Sequence, residues 1–197
     1  METKKRIIRL LESTNRPGMD KLIKVMEEGG FFTAPCSGGY HLAKEGGLAE
    51  HSLNVLNVAA NISRVLSERG ELSLDTADEL IIVCLLHDLG KMGQYGKSNY
   101  VENILKSGKQ SASKPYKTNP DLMYVDHEVR SIVIAQQYIE LTEEEQQAIL
   151  WHNGLYGNFR YQIQGKETAL YLILHFADMY ASRVLEVNDE NNQDYHG

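Results

Sequence analysis

His87 and Asp88, adjacent in the stretch LLHDLGK at 85–91, are the residues best placed to do chemistry. They close the most apolar run of the chain, Leu80 to Leu86, and Gly90 follows them. Adjacent side chains on a helix diverge by about 100°. At a helix end, however, both can converge on one ion, and a hard or borderline cation accepts an imidazole and a carboxylate together. A carboxylate beside so hydrophobic a run is costly to bury without a charge partner, and a metal ion is such a partner. The plainer alternative is that Asp88 ends a helix and His87 is an ordinary core or surface histidine.

Residues of the same kind recur along the chain. His51 lies near the start of an amphipathic stretch in GGLAEHSLNV, and His127 begins another in VDHEVRS. His152 closes a third in AILWHNG, and Asp178 lies inside a last apolar stretch in LHFADMYASR. Any one of them alone reads as a satisfied core or surface residue. Four such helices, each carrying a histidine or aspartate amid apolar residues, are harder to dismiss in that way.

Cations stand close by in sequence. Lys91 follows Asp88 by three residues; it could meet a phosphate, or simply be a helix-end lysine that favours the helix dipole. Arg130 follows His127 by three residues and shares its helix face, so it could reach a phosphate or pair with an acid. Arg183 lies five residues after Asp178, about 140° around an ideal helix, and better suits a salt bridge. Glu50 is either a partner for a ligand histidine or a solvated acid, and His175 suits a core role.

The elements that must position these residues are helices. Apolar spacing predicts short helices at 3–13 and 19–28, broken by Pro17-Gly18 and stopped by Gly29-Gly30. Residues 30–47 hold five of the sixteen glycines and read as an irregular loop. A long helix follows at 48–69, then one at 75–89 capped by Ser73 or Asp75. The polar stretch 92–124 predicts a long loop with a small β-hairpin; loops of that length are often functional. Helices resume at 126–138, from a Thr142–Glu145 capping box to about 152, and at 167–186. Residues 153–166 read as loop and the tail from 188 as disordered. The expected class is all-α, with a 1–29 helical extension, a domain at 30–187 and a disordered tail at 188–197.

Composition narrows the function classes. The chain has 197 residues, with 20 Lys and Arg against 27 Asp and Glu, a net charge of −7. That argues against a dedicated binder of long nucleic acid, but not against a small phosphorylated substrate, because a metal supplies positive charge locally. Two cysteines, Cys36 and Cys84, without CxxC spacing suggest neither a thiolate site nor a disulfide framework. The longest apolar run is far short of the ~20 residues of a membrane span. METKKRIIRLLEST lacks the apolar core and cleavage site of a signal peptide. The expected location is cytoplasmic.

Taken in order, GGLxEHS, LLHDLGK, WHNG and FADMYASR resemble the H…HD…D signature of the HD-domain superfamily of metal-dependent phosphohydrolases. The resemblance covers about residues 30–185, an all-α helical bundle with long irregular loops around a central metal site. The segment TAPCSGGYHLAKEGGLAEHSLNV is similar to a bacterial and phage group of HD-domain proteins, and more distantly to the HD domain of YhaM-like 3′–5′ exoribonucleases. The resemblance implies a first metal site of His51, His87, Asp88 and Asp178. It implies a second held by His127 and His152, with Asp88 bridging the two. The implied cofactor is a pair of divalent transition-metal ions (Mn, Fe, Co, Ni or Zn), whose activated hydroxide would attack phosphorus. It puts Lys91 where the family has a phosphate-binding or proton-donating lysine, and Asp88 and Lys91 in catalytic roles. Tyr40 and His41, in the glycine-rich loop, become candidates for substrate contact together with Lys91, Arg130 and Arg183. The exonuclease relatives carry an additional OB-fold for which this chain has no room. The region after the late histidines reads WHNGLYGNFRY, without the GYP motif of cyclic-di-GMP phosphodiesterases.

Three functions follow as expectations. The first is hydrolysis of a phosphoester or phosphodiester in a nucleotide, cyclic nucleotide or short oligonucleotide. The second is a di-iron oxygenase built on the same ligand set, and the third a non-catalytic module that binds a nucleotide or partner protein.

Overall fold

From Leu80 onward, the helix that runs into His87 is apolar on every side, and this decides the architecture. A computed structural model describes residues 2–71, 77–157 and 160–187. The expected caps Ser73 and Asp75, and the tail at 188–197, lie outside the described residues. Helix α4 (Ala77–Leu86) buries Leu80, Ile82, Val83, Cys84, Leu85 and Leu86. A helix that is hydrophobic all round must be enclosed. Around it pack α1 (Glu2–Ser13), α3 (Gly47–Glu68), α6 (Glu143–Trp151) and α8 (Ala169–Tyr180). Each fully buried leucine or isoleucine in this centre contributes roughly 1.5–3 kcal/mol. The class is all-α, as the periodicity predicts.

The first two helices enter the same core. α1 buries Ile7 and Leu11 and packs on α3 and α4, and α2 (Met19–Glu28) packs on α1 and buries Met19, Leu22, Ile23 and Met26 in the same core. The joint is also polar. Arg16 forms two bonds to the buried Glu145, Nη2 to Oε1 at 2.7 Å and Nη1 to Oε2 at 3.0 Å. Glu145 completes the predicted capping box of α6: Thr142 Oγ1 accepts from the Glu145 amide, and Glu145 accepts from the Thr142 amide at 2.8 Å.

The long stretch between α4 and α5 (His127–Ala135) contains the expected hairpin. Strands β1 (Tyr100–Glu102) and β2 (Tyr116–Thr118) are antiparallel, with Tyr100 opposite Thr118 and Glu102 opposite Tyr116. The Tyr116 amide bonds Gly38 O at 3.0 Å, which fastens the hairpin to the glycine-rich loop. Asn119 Nδ2 bonds Ser98 O at 2.8 Å and Lys97 Nζ bonds Asp121 O at 2.7 Å, so the two ends of the stretch hold each other.

Three segments differ from the sequence expectation. The helix at α4 stops at Leu86, and a 3₁₀ turn, Leu89–Met92, follows after His87 and Asp88. Residues expected to be loop contain a 3₁₀ turn, Gly154–Tyr156, and a one-turn helix, α7 (Arg160–Ile163), whose Ile163 is buried. Burial of that one apolar residue overrides the polar character of its neighbours. The last helix ends at Tyr180 and widens into a π turn, Ala181–Leu185, so Glu186 bonds its amide to Ala181 O rather than to the α-helical partner.

Candidate metal centre

The centre is assembled from helix ends. His87 and Asp88 follow α4, His152 follows α6, His127 is the first residue of α5, His51 lies in the first turns of α3, and Asp178 comes from within α8. At both helix C-termini the histidine folds back and donates its Nδ1–H to the carbonyl three residues earlier. The distances are 2.9 Å for His87 to Cys84 O and 2.8 Å for His152 to Ile149 O. The bond satisfies a carbonyl the helix leaves without a partner and turns Nε2 inward as the lone-pair nitrogen.

The other two histidines set Nδ1 against carboxylates, His51 through a hydrogen bond and His127 through an ion-pair contact. His51 Nδ1 lies 2.9 Å from Glu186 Oε2, and His127 Nδ1 lies 3.2 Å from Glu128 Oε2. Asn153 in turn donates to Glu128. Four imidazoles thus present Nε2 to one cavity. The outward hydrogen bonds of His51, His87 and His152 are of the kind that orients a metal-ligating histidine and raises its basicity.

Asp88 stands between them, and its two oxygens face different partners. Oδ2 lies 3.4 Å from His87 Nε2, 3.6 Å from His51 Nε2 and 2.7 Å from Lys91 Nζ. Oδ1 lies 3.2 Å from His127 Nε2 and 3.5 Å from His152 Nε2. His51 Nε2 is also 3.3 Å from His87 Nε2 and 3.2 Å from Asp178 Oδ1. Ligands on one ion with bonds of about 2.1 Å sit roughly 3.0–3.4 Å apart, close to these spacings.

Two observations show that the residues fit metal ions. Asp88 Oδ1 and His127 Nε2 are buried with no hydrogen-bond partner, although buried polar atoms are nearly always satisfied. The second is charge: Asp88, Asp178 and Glu186 gather three carboxylates against Lys91. Burial opposes protonation of His51, but Asp178 and Glu186 lift it to about 9. Burial opposes the charge of Asp88, yet Lys91 and His87 hold its carboxyl well below the usual value. Glu186 is likewise held down at about 2, against burial, by His41 and His51. A proton on His51 covers part of the deficit of positive charge; a divalent ion would cover it fully.

Glycine at 90 makes the junction possible. A Cβ there would stand 2.3 Å from His127 O and 2.9 Å from Arg130 Cβ, so α5 could not approach the turn that carries Asp88. Ser131 locks this contact, accepting from the Gly90 amide at 2.8 Å while its hydroxyl lies 2.8 Å from His87 O and His127 O.

The floor of the centre is closed and its rim is open. His51, His87, Asp88 and His152 are buried, whereas the side chains of His127, Asp178 and Lys91 keep 27%, 17% and 15% of their exposure. The remaining expected contacts are spread more widely. His41 bonds Glu186 at 2.6 Å beside His51, and Tyr40 is exposed in the same loop. Arg130 is buried and turns its guanidinium to Gln94 Oε1 (2.9 Å) and Met123 O (2.8 Å), where it braces the 92–124 stretch. Arg183 is exposed and stacks over the Tyr156 ring at 4.7 Å. Glu50 pairs with Lys44 at 2.8 Å, and His175 donates to His152 O at 2.9 Å from the core.

Sequence reasoning did not single out Glu186 or Glu128. Glu128 has one local signal, its place next to His127 in a first helical turn. Glu186 lies eight residues beyond Asp178, about 80° around an ideal helix. The π turn winds less per residue and brings it back toward the ligand face.

The HD domain family model matches residues 48–182, and the chain belongs to that family, whose members are mostly metal-dependent hydrolases. No curated protein and no solved structure matches the chain. The buried histidine and aspartate clusters fit a divalent-metal site. Among the described residues, no helix is long and apolar enough to cross a membrane.

Proposed function

We propose that the protein is a metal-dependent phosphohydrolase that cleaves a phosphoester or phosphodiester bond of a nucleotide, cyclic nucleotide or short oligonucleotide. The observation that carries this reading is the division of Asp88: one oxygen faces His51 and His87, the other His127 and His152. His51, His87, Asp178 and Asp88 Oδ2 would hold one ion, and Asp88 Oδ1, His127 and His152 a second. Bound there, a pair of Mn, Fe, Co, Ni or Zn ions would polarise the phosphate and lower the pKa of water.

The chain supplies the rest. Lys91 is kept cationic: burial works against its charge, but Asp88 raises its pKa well above the usual value. Its ammonium lies at the open rim, where it can bind a phosphate oxygen or give a proton to the leaving oxygen. The glycine-rich loop with Tyr40 and His41, and the hairpin fastened to it, border the same rim and would contact the rest of a small substrate. Arg130 and Arg183 would act from farther out, Arg130 by holding the 92–124 stretch in place. The fixed carboxylate and imidazoles keep the pocket organised before substrate arrives, which is where electrostatic catalysis gains most.

The test is a hydrolysis panel of mono-, di- and triphosphates, cyclic nucleotides and dinucleotides with added Mn²⁺. Metal-dependent phosphate or nucleotide release that disappears in folded Asp88→Ala is the expected result. Oxygen uptake by the iron-loaded protein without such release would replace this reading with the oxygenase one.

A further inference from the structure

Glu186 and His41 both lie outside the 48–182 span that the family model matches, yet they meet at the centre. Glu186 is buried and accepts from three side chains: His51 Nδ1 at 2.9 Å, His41 Nδ1 at 2.6 Å and Asn54 Nδ2 at 2.9 Å. His51 is a candidate ligand on α3. His41 belongs to the glycine-rich loop, and its ring centroid lies 4.8 Å from that of His51. The loop has its own internal ties, Ser37 Oγ to His41 O at 2.8 Å and the Cys36 amide to Leu42 O at 3.1 Å, so holding His41 holds residues 36–42 as a unit. One carboxylate therefore joins a metal-facing imidazole to the loop that borders the rim.

We propose that Glu186 is a positioning residue that orients His51 for metal binding and, through His41, pins the glycine-rich loop to the metal centre, so that metal occupancy and loop order are coupled. This rests on the metal-centre reading above. A carboxylate can accept all three donors. An amide at 186 would offer one acceptor oxygen and set an NH₂ group against the remaining N–H donors. Coupling is reciprocal: if the ordered loop favours the bound ion, the bound ion must order the loop.

The experiment is a cobalt(II) titration of the full chain, followed by its visible absorption, with hydrogen exchange of residues 36–42 measured at zero and saturating cobalt. Wild type, Glu186→Gln and His41→Ala are compared. In Glu186→Gln, cobalt affinity should fall about 10–100-fold, the usual effect of removing such an outer partner, and cobalt should no longer slow exchange in the loop. In His41→Ala the cobalt-dependent slowing of the loop should disappear, and affinity should fall by no more than the factor by which cobalt slows loop exchange in wild type. Wild-type affinity in folded Glu186→Gln, or loop exchange that ignores cobalt in wild type, would overturn the proposal. If Glu186→Gln fails to fold, His41→Ala decides alone, because persistence of the cobalt effect there overturns it. A wild-type chain that binds no cobalt would instead remove the metal-centre reading itself.

Discussion

Asp88 Oδ1 lies 3.2 Å from His127 Nε2, and neither buried atom has a hydrogen-bond partner. The other oxygen of the same carboxylate is 2.7 Å from Lys91 Nζ and faces His51 and His87. Asp88 thus faces both pairs of histidines, His51 and His87 on one side and His127 and His152 on the other. Replacing it with alanine should lower bound metal in both halves. Turnover should fall by at least about 100-fold, since Lewis-acid stabilisation is worth several kcal/mol and each 1.36 kcal/mol is roughly tenfold. Elemental analysis and an activity assay on the folded variant check this together.

Lys91 tests a different function of the same pair. Lys91→Ala removes a cation at the rim but no imidazole or carboxylate ligand. Metal content should stay near that of wild type while turnover falls about 10–100-fold, a typical range for a positioned acid or phosphate contact. Loss of metal from this variant would mean that Lys91 chiefly holds Asp88.

The junction of α5 with the Asp88 turn makes a steric prediction. In Gly90→Ala the new Cβ meets His127 O and Arg130 Cβ, so α5 must move. Overpacking of this kind costs about 1–3 kcal/mol. Thermal melting should register that loss, and metal should leave the His127 half first. Unchanged stability and unchanged metal content would contradict the close packing.

Charge in the centre predicts opposite pH limits for the metal-free protein. His51 is raised from 6.5 to about 9, with Asp178 and Glu186 outweighing burial. Its stabilisation, on the order of 3 kcal/mol, is complete below pH 6.5 and is lost as pH rises through about 9. Glu186 is lowered from 4.5 to about 2, so its contribution is present above 4.5 and lost as pH falls through about 2. These two groups together leave the chelated protein most stable between about 4.5 and 6.5. A divalent ion displaces the His51 proton, so metal affinity should rise by up to about tenfold per pH unit between 6.5 and 9. Melting curves with chelator and with Mn²⁺ across this range check both statements. A flat alkaline limb in the chelated protein would contradict the first.

Much of this arrangement was legible in the sequence, for identifiable reasons. The Thr142–Glu145 capping box depends only on residues three apart, and it forms as expected. His51, His87, His127, His152 and Asp178 stand out because each begins, interrupts or closes a helical stretch with apolar neighbours, where a polar group needs a reason. Glu186 was illegible because its position depends on a π turn, and nothing local in ASRVL announces the change of winding. Arg130 has the spacing of a phosphate contact, but its partners are Gln94 and a carbonyl at Met123, fixed by the path of a long loop. The turn of α7 is likewise tertiary, since only burial of Ile163 explains it.

The most direct test of a shared two-ion centre is the number of metal ions per chain in the wild type and in His127→Ala, measured by elemental analysis of the purified proteins. Two half-sites joined by Asp88 predict about two ions in the wild type and about one in the variant. One ion or none, unchanged by the substitution, would contradict the account and return His127 and His152 to ordinary structural histidines.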